Sequence, residues 1–246
     1  MKNYILLVSL LVLGAFQAMA QKTMADSAFQ KGHYDDAVRL YEDVLQQGEH
    51  PYVYYNLGNA YYRQGDMAHA ILNYERAALL EPGNSDIRFN LALARSKTID
   101  KVADGDQFFL FYWLHSLLNL QNADGWGRCA LLFVSLFLLS LLVRIFIRSG
   151  WVKTVASIGW VSCLCLALVL NIFAWMQNRQ LQDKTYAIMM QTMPVRSTPA
   201  ESGTALFTLH PGTKVKIIDD TMEHWKEVTL PDGKRGWVHK SSMELI

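Results

Sequence analysis

YYNLGNAYYRQGDMAHAILNYERAALLEPGN, residues 54 to 84, sets small residues at Gly58, Ala70 and Ala77 among tyrosines. Glycine costs about 1 kcal/mol against alanine inside a helix, so its use there asks for a compensating contact. Two antiparallel helices supply one, because their backbones approach closely only where side chains are small. On that reading Gly58 and Ala70 bring the two helices together, Ala77 leaves room for the next repeat, and the tyrosines fill the wider gaps. Gly65 ends the first helix, Asp66 caps the second and Pro82 stops it.

An earlier copy exists. Gly32, Ala37 and Tyr41 precede Gly65, Ala70 and Tyr74 by 33 residues each, although Ala25 and Ala28 replace the glycine and tyrosine of the first helix. After Gly83, NSDIRFNLALARSKTI begins with Asn84 or Ser85 as a cap and sets Ile87, Leu91 and Ala94 on one face. The pattern Tyr54-x-x-Leu57-Gly58-x-x-Tyr61, Ala70-x-x-x-Tyr74, Ala77, Pro82 resembles the tetratricopeptide-repeat signature, with tyrosine for its first tryptophan and a period near 34. Two repeats and a capping helix are expected over 22–99.

The resemblance implies a concave groove, lined by the first helix of each repeat, that takes extended peptides or partner helices. Its expected lining is Tyr52, Tyr55, Asn56, Asn59 and Tyr62, with Lys22 and Asp26 from the earlier copy and Asp86 and Phe89 from the cap. The family's carboxylate clamp is not expected, because Asp26 and Asp86 put acids where it needs an amide and a base. The alternative reading of these tyrosines is packing alone.

Outside this region the chain is unusually apolar. Of 246 residues 51% are hydrophobic and 18% charged, and the net charge of +1 leaves no basic patch for a nucleic acid. Residues 1–20 read as a signal peptide: Lys2, an apolar core from Tyr4 to Leu13, and Ala18-Met19-Ala20 before Gln21. Two apolar runs, 126–147 and 154–178, read as membrane spans. The loop 148–153 between them, with Arg144, Arg148 and Lys153 and no acid, marks the cytoplasmic side. Both flanking soluble parts then share the opposite compartment. A segment at 106–121 carries Phe108, Phe109, Phe111, Tyr112 and Trp113. It is too short to span and suits the membrane interface; as a third crossing it would move the C-terminal part to the cytoplasm.

From about 185 the period changes to two. TKVKIIDD alternates Val215 and Ile217 against Lys214 and Lys216, and HWKEVTL and KRGWVHK form a hairpin across Pro231-Asp232-Gly233. Pro194-Val195-Arg196 reads as the opening of a loop, and LHPG at 209–212 as a break before a strand. Short strands and tight turns over 185–246 indicate a small all-β barrel. PVRSTP, L-x-x-G-T-x-V-x-I and the Gly236-Trp237-Val238 of PDGKRGWV resemble the bacterial SH3-like family. That resemblance implies an accessory module recognising wall peptides or proteins. Trp225 and Trp237 read either as ligand platforms or as barrel core, Trp237 more as core.

Catalytic signatures are missing. The seven histidines stand in no metal-ligand spacing, and there is no Gly-x-Ser-x-Gly or phosphate loop. Cys129, Cys163 and Cys165 lie in apolar runs, so neither a disulfide frame nor a thiol reductant is expected. His224 and His239 are expected near each other on adjacent strands, without a nucleophile beside them. No enzyme activity, cofactor or metal is expected. The order of parts resembles the E-component family of the Bacteroides aerotolerance (Bat) operon. This resemblance implies an inner-membrane, periplasm-facing member of a stress-related complex. Its implied partners are membrane-anchored von Willebrand A-domain proteins, another repeat protein and a MoxR-type AAA+ ATPase. Two functions fit these parts: a scaffold binding partners through the repeat groove, and an envelope sensor whose barrel binds peptidoglycan or peptides; a third, an enzyme of wall turnover, has only the barrel's company in its favour and no catalytic residues.

Overall fold

The computed structural model describes residues 20–101, 109–147 and 150–246. The expected signal segment, apart from residue 20, lies outside them. The chain divides into two compact units: the helices before residue 101 with the C-terminal sheet, and the apolar helices between them together with 81–83.

In the first unit five helices run α1 (20–30), α2 (Tyr34–Leu45), α3 (Pro51–Gln64), α4 (Met67–Leu80) and α5 (Ser85–Ser96). Neighbours in the chain pack on one another, α2 on α3, α3 on α4 and α4 on α5. Gly58 has the expected role: a Cβ there would lie 2.7 Å from the Tyr74 ring and 3.3 Å from the Ala70 carbonyl. Gly65 closes α3 with a φ of +85°, a left-handed turn that glycine enters without strain. Asp66 Oδ1 then accepts from the His69 N–H at 3.1 Å, capping α4. Asn84 caps α5 by accepting from the Asp86 and Ile87 N–H groups at 3.0 and 3.4 Å. Ile87, Leu91 and Ala94 are all buried, as their spacing requires.

The C-terminal sheet has seven antiparallel strands: β1 (Tyr186–Met189), β2 (Met193–Arg196), β3 (Ala205–Leu209), β4 (Lys214–Asp219), β5 (Trp225–Thr229), β6 (Arg235–His239) and β7 (Met243–Leu245). Their spatial order is β3-β2-β6-β5-β4-β1-β7. Alternate residues of the first six strands, including Met189, Val195, Leu209, Val215, Val228 and Val238, meet in one core. One core shared by six strands means the sheet curls upon itself, the small barrel expected. One expectation is corrected: Pro194-Val195-Arg196 is strand β2, not a loop. Proline fits there because β2 meets β6 only at Arg196, opposite Trp237, so Pro194 has no N–H to supply on that side.

The second unit holds α6 (Phe109–Leu118), α7 (Ala123–Phe146) and α8 (Gly150–Gln182). Both α7 and α8 are long and apolar enough to cross a membrane, and little of either is buried within the protein. They pair closely where side chains are small: Ser140 Oγ donates to the Ala156 carbonyl at 2.8 Å, and a Cβ on Gly159 would lie 3.0 Å from that hydroxyl. Arg144 donates to Ser157 Oγ at 2.9 Å near the loop end of the pair. Helix α7 begins three residues before the expected span, capped by Asn122, and α8 runs from Gly150 to Gln182, past both ends of the expected span 154–178. Residues 148–149 of the expected loop lie outside the described residues.

Candidate protein-interaction surfaces

The residues expected to line a groove on the repeats divide into two kinds. Asn59 is spent inside a network: its Oδ1 accepts from Tyr74 Oη at 2.7 Å and from Asn90 Nδ2 at 2.9 Å, and its Nδ2 donates to Asn56 Oδ1 at 3.3 Å. Asn90 also donates to Tyr55 Oη at 3.0 Å, and the Tyr55 and Tyr74 rings lie 6.0 Å apart. Burial pushes the Tyr74 hydroxyl well above its ordinary range, which keeps it a donor. Tyr55 and Asn59 therefore tie α3 to α4 and α5, with Asn56 bonded to Asn59 within α3. Asp26 is similarly engaged, accepting from Tyr41 at 2.6 Å, Tyr52 at 3.2 Å and Lys22 at 3.5 Å. Burial and this bond to Asp26 raise the Tyr41 pKa.

What these helices expose is aromatic, apolar and basic. Phe89 is 68% exposed on α5, with Leu93 one turn on and Tyr52 exposed on α3. Lys22 stands 3.9 Å over the Tyr52 ring and Lys97 4.3 Å over Tyr62, so each aromatic face carries a cation. Leu93 and Lys97 were not among the residues expected here; the period of 34 from Asn59 and Arg63 points to both.

On the sheet, Trp225 and Trp237 share the outer face of β5 and β6, whose alternation turns Val228 and Val238 inward. Neither tryptophan belongs to the core, which corrects the reading of Trp237 as core; the inward positions of β5 and β6 are taken by Lys226, Val228, Gly236 and Val238. Trp225 sits edge-on to His239 at 5.6 Å, and the His224 and His239 rings lie nearly parallel at 6.1 Å. A hollow of about 420 Å³ opens beside them, bounded by Lys226, Lys240, Met243 and Leu245. Contrary to expectation, a serine does stand beside His239: Ser241 Oγ is 2.7 Å from Nδ1. The Ser241 N–H also points at that nitrogen, at 3.4 Å, so the imidazole caps the turn at Lys240–Ser242. Among the described residues no group of three His, Cys, Asp or Glu side chains can hold a metal ion.

Sequence reasoning missed the seam that joins repeats and sheet within the first unit. Ile188 of β1 enters a cluster with Ile71, Leu72, Tyr74 and Leu91, flanked by Met190 and Ile246. Beside it Glu75, only 7% exposed, accepts from Lys214 at 2.9 Å and from Arg95. Burial alone raises the Glu75 pKa, but the two cations outweigh it and the group ends below its ordinary value. Asp100 accepts from Thr213 Oγ1 at 2.6 Å and from the His210 N–H at 2.8 Å, while its other oxygen lies 2.8 Å from His210 Nδ1. Arg76 donates to Glu244 at 3.0 Å and to the Leu245 carbonyl at 2.7 Å. No local pattern announces these partners, which are more than 100 residues apart. A glutamate on the buried side of α4, between Tyr74 and Ala77, was the one available signal.

Residues 22–86 match the family model for the tetratricopeptide repeat, and residues 192–244 the model for the bacterial SH3 domain. A search of curated proteins returned no match. Among solved structures, the Sgt2 repeat domain from Aspergillus fumigatus is 26% identical, with a TM-score of 0.32 over 32% of this chain and 54% of its own. The first repeat domain of Spaghetti (RPAP3), bound to an HSP90 peptide, is 23% identical, with a TM-score of 0.31 over 32% of this chain and 64% of its own. Yeast Tom70 is 18% identical, with a TM-score of 0.32, and the match covers 59% of this chain and 24% of that protein. The chain thus spans less than two thirds of each of these structures. Helices α1–α4 thus form a tetratricopeptide-repeat-like region, and the curled sheet is consistent with a bacterial SH3 domain.

Proposed function

We propose that this chain is a membrane-anchored scaffold, facing the periplasm, that binds partner proteins through the repeat groove. The observation that carries this reading is the exposure of Phe89 and Leu93 on α5 and of Tyr52 on α3, while the polar groups of Tyr55, Asn59 and Asn90 are already bonded to one another. Aromatic and apolar side chains held open on rigid helices are the usual anchors of an interface. The seam between repeats and SH3 domain supports the placement. Two modules that share a core lie in one compartment, so the chain between them crosses any membrane an even number of times. Helices α7 and α8 are long and apolar enough for two crossings, and the basic residues Arg144 and Lys153 near their joined end support a cytoplasmic position for it.

The resemblance to the Bat E-component family makes the partners members of an aerotolerance or stress-related envelope complex. Membrane-anchored von Willebrand A-domain proteins, a second repeat protein and a MoxR-type ATPase are its members. The test is co-purification from membranes in mild detergent, comparing the native chain with Phe89→Ser/Leu93→Ser. These side chains make no hydrogen bond, so the variant keeps its fold, unlike substitutions at Tyr55 or Asn59. Loss of specific membrane partners from the variant supports the groove. Partners retained at native levels overturn it.

A second reading, an envelope sensor, is favoured by the outward placement of Trp225 and Trp237. There the SH3 domain binds peptidoglycan or peptides. Sedimentation of the protein with purified wall material, lost in Trp225→Ala/Trp237→Ala, supports that reading; no sedimentation overturns it.

A further inference from the structure

We propose that α6 is an interfacial anchor, lying along the lipid boundary on the side where the soluble modules stand. The proposal rests on the membrane reading of α7 and α8 and adds a third, non-crossing element. Helix α6 carries no Asp, Glu, Lys or Arg, and Phe109, Leu110, Trp113, Leu114 and Leu117 are exposed on it beside the polar His115 and Ser116, with Trp113 69% exposed. Five large apolar side chains uncovered by protein on one short helix, with polar neighbours beside them, suit a boundary between lipid and water. Its ten residues reach about 15 Å, half a bilayer core, so it cannot cross. The even crossing count excludes it as a span independently.

The depth of α6 is set at its C-terminal end. The Leu118 carbonyl, free of any intrahelical donor there, accepts from Trp126 Nε1 at 2.9 Å and from Gln177 Nε2 at 2.8 Å. Gln177 also donates to Asn119 Oδ1 at 3.1 Å. The Trp126 ring packs edge-on against Phe173 at 5.2 Å. Trp126 opens the apolar run of α7, and Gln177 stands where the apolar run of α8 gives way to Asn178 and Arg179. Both donors thus mark the level at which hydrocarbon ends, and the shared carbonyl fixes α6 to that level. Gln177 itself is 2% exposed, a buried amide that would be costly without this acceptor. The occupant committed to is lipid, continuous with that around α7 and α8; tryptophan and phenylalanine are the side chains that settle at this boundary.

The test uses the full chain in phosphatidylcholine vesicles, with Cys129, Cys163 and Cys165 replaced by alanine. Single cysteines at Leu110, Trp113 and Leu117 carry nitroxide labels, and a label at Leu138 of α7 serves as the span control. Collision with oxygen is compared with collision with a water-soluble nickel chelate. The expected result is oxygen-dominated collision at all three α6 positions, at one shallow depth, with Leu138 several-fold deeper on the same ratio. Chelate-dominated collision at α6 with a lipid signal at Leu138 overturns the anchor and leaves the spans. Depth that increases steadily from Leu110 to Leu117 also overturns it. A water signal at Leu138 refutes the membrane reading itself. In Gln177→Leu the Leu117 label should become more mobile while Leu138 is unchanged; unchanged mobility at Leu117 removes the fixing role assigned to the carbonyl.

Discussion

Replacing Glu75 by glutamine should loosen the junction between repeats and SH3 domain more than any other single polar change. The carboxylate is 7% exposed, whereas Arg95 and Lys214 are 45% and 35% exposed. Removing one member of a buried pair costs about 3–5 kcal/mol, mostly by stranding its partner's charge. Here both cations keep a route to water, so the low end applies, about 3 kcal/mol. For a unit of this size that corresponds to a melting temperature lower by roughly 6–12 °C. The assay is thermal unfolding of the full chain in detergent, read by tryptophan fluorescence and by hydrogen exchange of α4 and β1. Exchange should quicken in both elements together, since Ile188 and Ile71 share one cluster. Adding Lys214→Gln to the variant should recover part of the loss. The pH dependence has a definite sign. Glu75 sits below its ordinary value of 4.5 in the folded chain, so its stabilisation is complete above that pH and lost as pH falls through the lowered value. Asp100 is drawn down too, chiefly against the cost of its burial by bonds from Thr213 and His210, so the diagnostic quantity is the native-minus-variant difference. That difference should shrink on acidification below pH 4.5. A variant melting within about 2 °C of the native chain at neutral pH, or a difference independent of pH, would refute the reasoning.

Other perturbations test the packing. Gly58→Ala should destabilise the repeats by about 1–3 kcal/mol, because its methyl would meet the Tyr74 ring at 2.7 Å; denaturant midpoints read this directly. Gly212→Ala should weaken the seam, since φ there is +89° and the new methyl would press on Thr98 at 2.8 Å and Ile71 at 3.0 Å. Faster hydrogen exchange in β4 and the 96–101 segment would register it, and no change would contradict the contact. Asn84→Ala should cost about 1 kcal/mol through the lost cap of α5, measured as an equal drop in unfolding free energy.

The fold was legible in the sequence wherever the determining contact was local. Gly65, Asp66 and Asn84 act on residues within four positions, and Gly58 with Ala70 act across one turn between consecutive helices. The alternation in Lys214–Asp219 likewise announced which side chains face the core. Three things escaped. Tyr55 and Asn59 were read as contact residues because repeat position alone does not say that Asn90 will use their polar atoms. The outward aim of Trp237 depends on the curl of the sheet, which no strand carries alone. Glu75 found its cation 139 residues away, on the far side of two apolar helices in the chain, where periodicity has nothing to report.

That separation has a consequence during synthesis. Glu75 leaves the ribosome 139 residues before Lys214, an interval of roughly 7–30 s at about 5–20 residues per second. Arg95 emerges within 20 residues and can neutralise the carboxylate early, but the cluster of Ile71 and Leu72 waits for Ile188 until the apolar helices have been made. Throughout that delay the repeats carry an open greasy flank. The nascent chain is therefore most exposed to misassembly, and most in need of a holding chaperone, while its middle third is still being made.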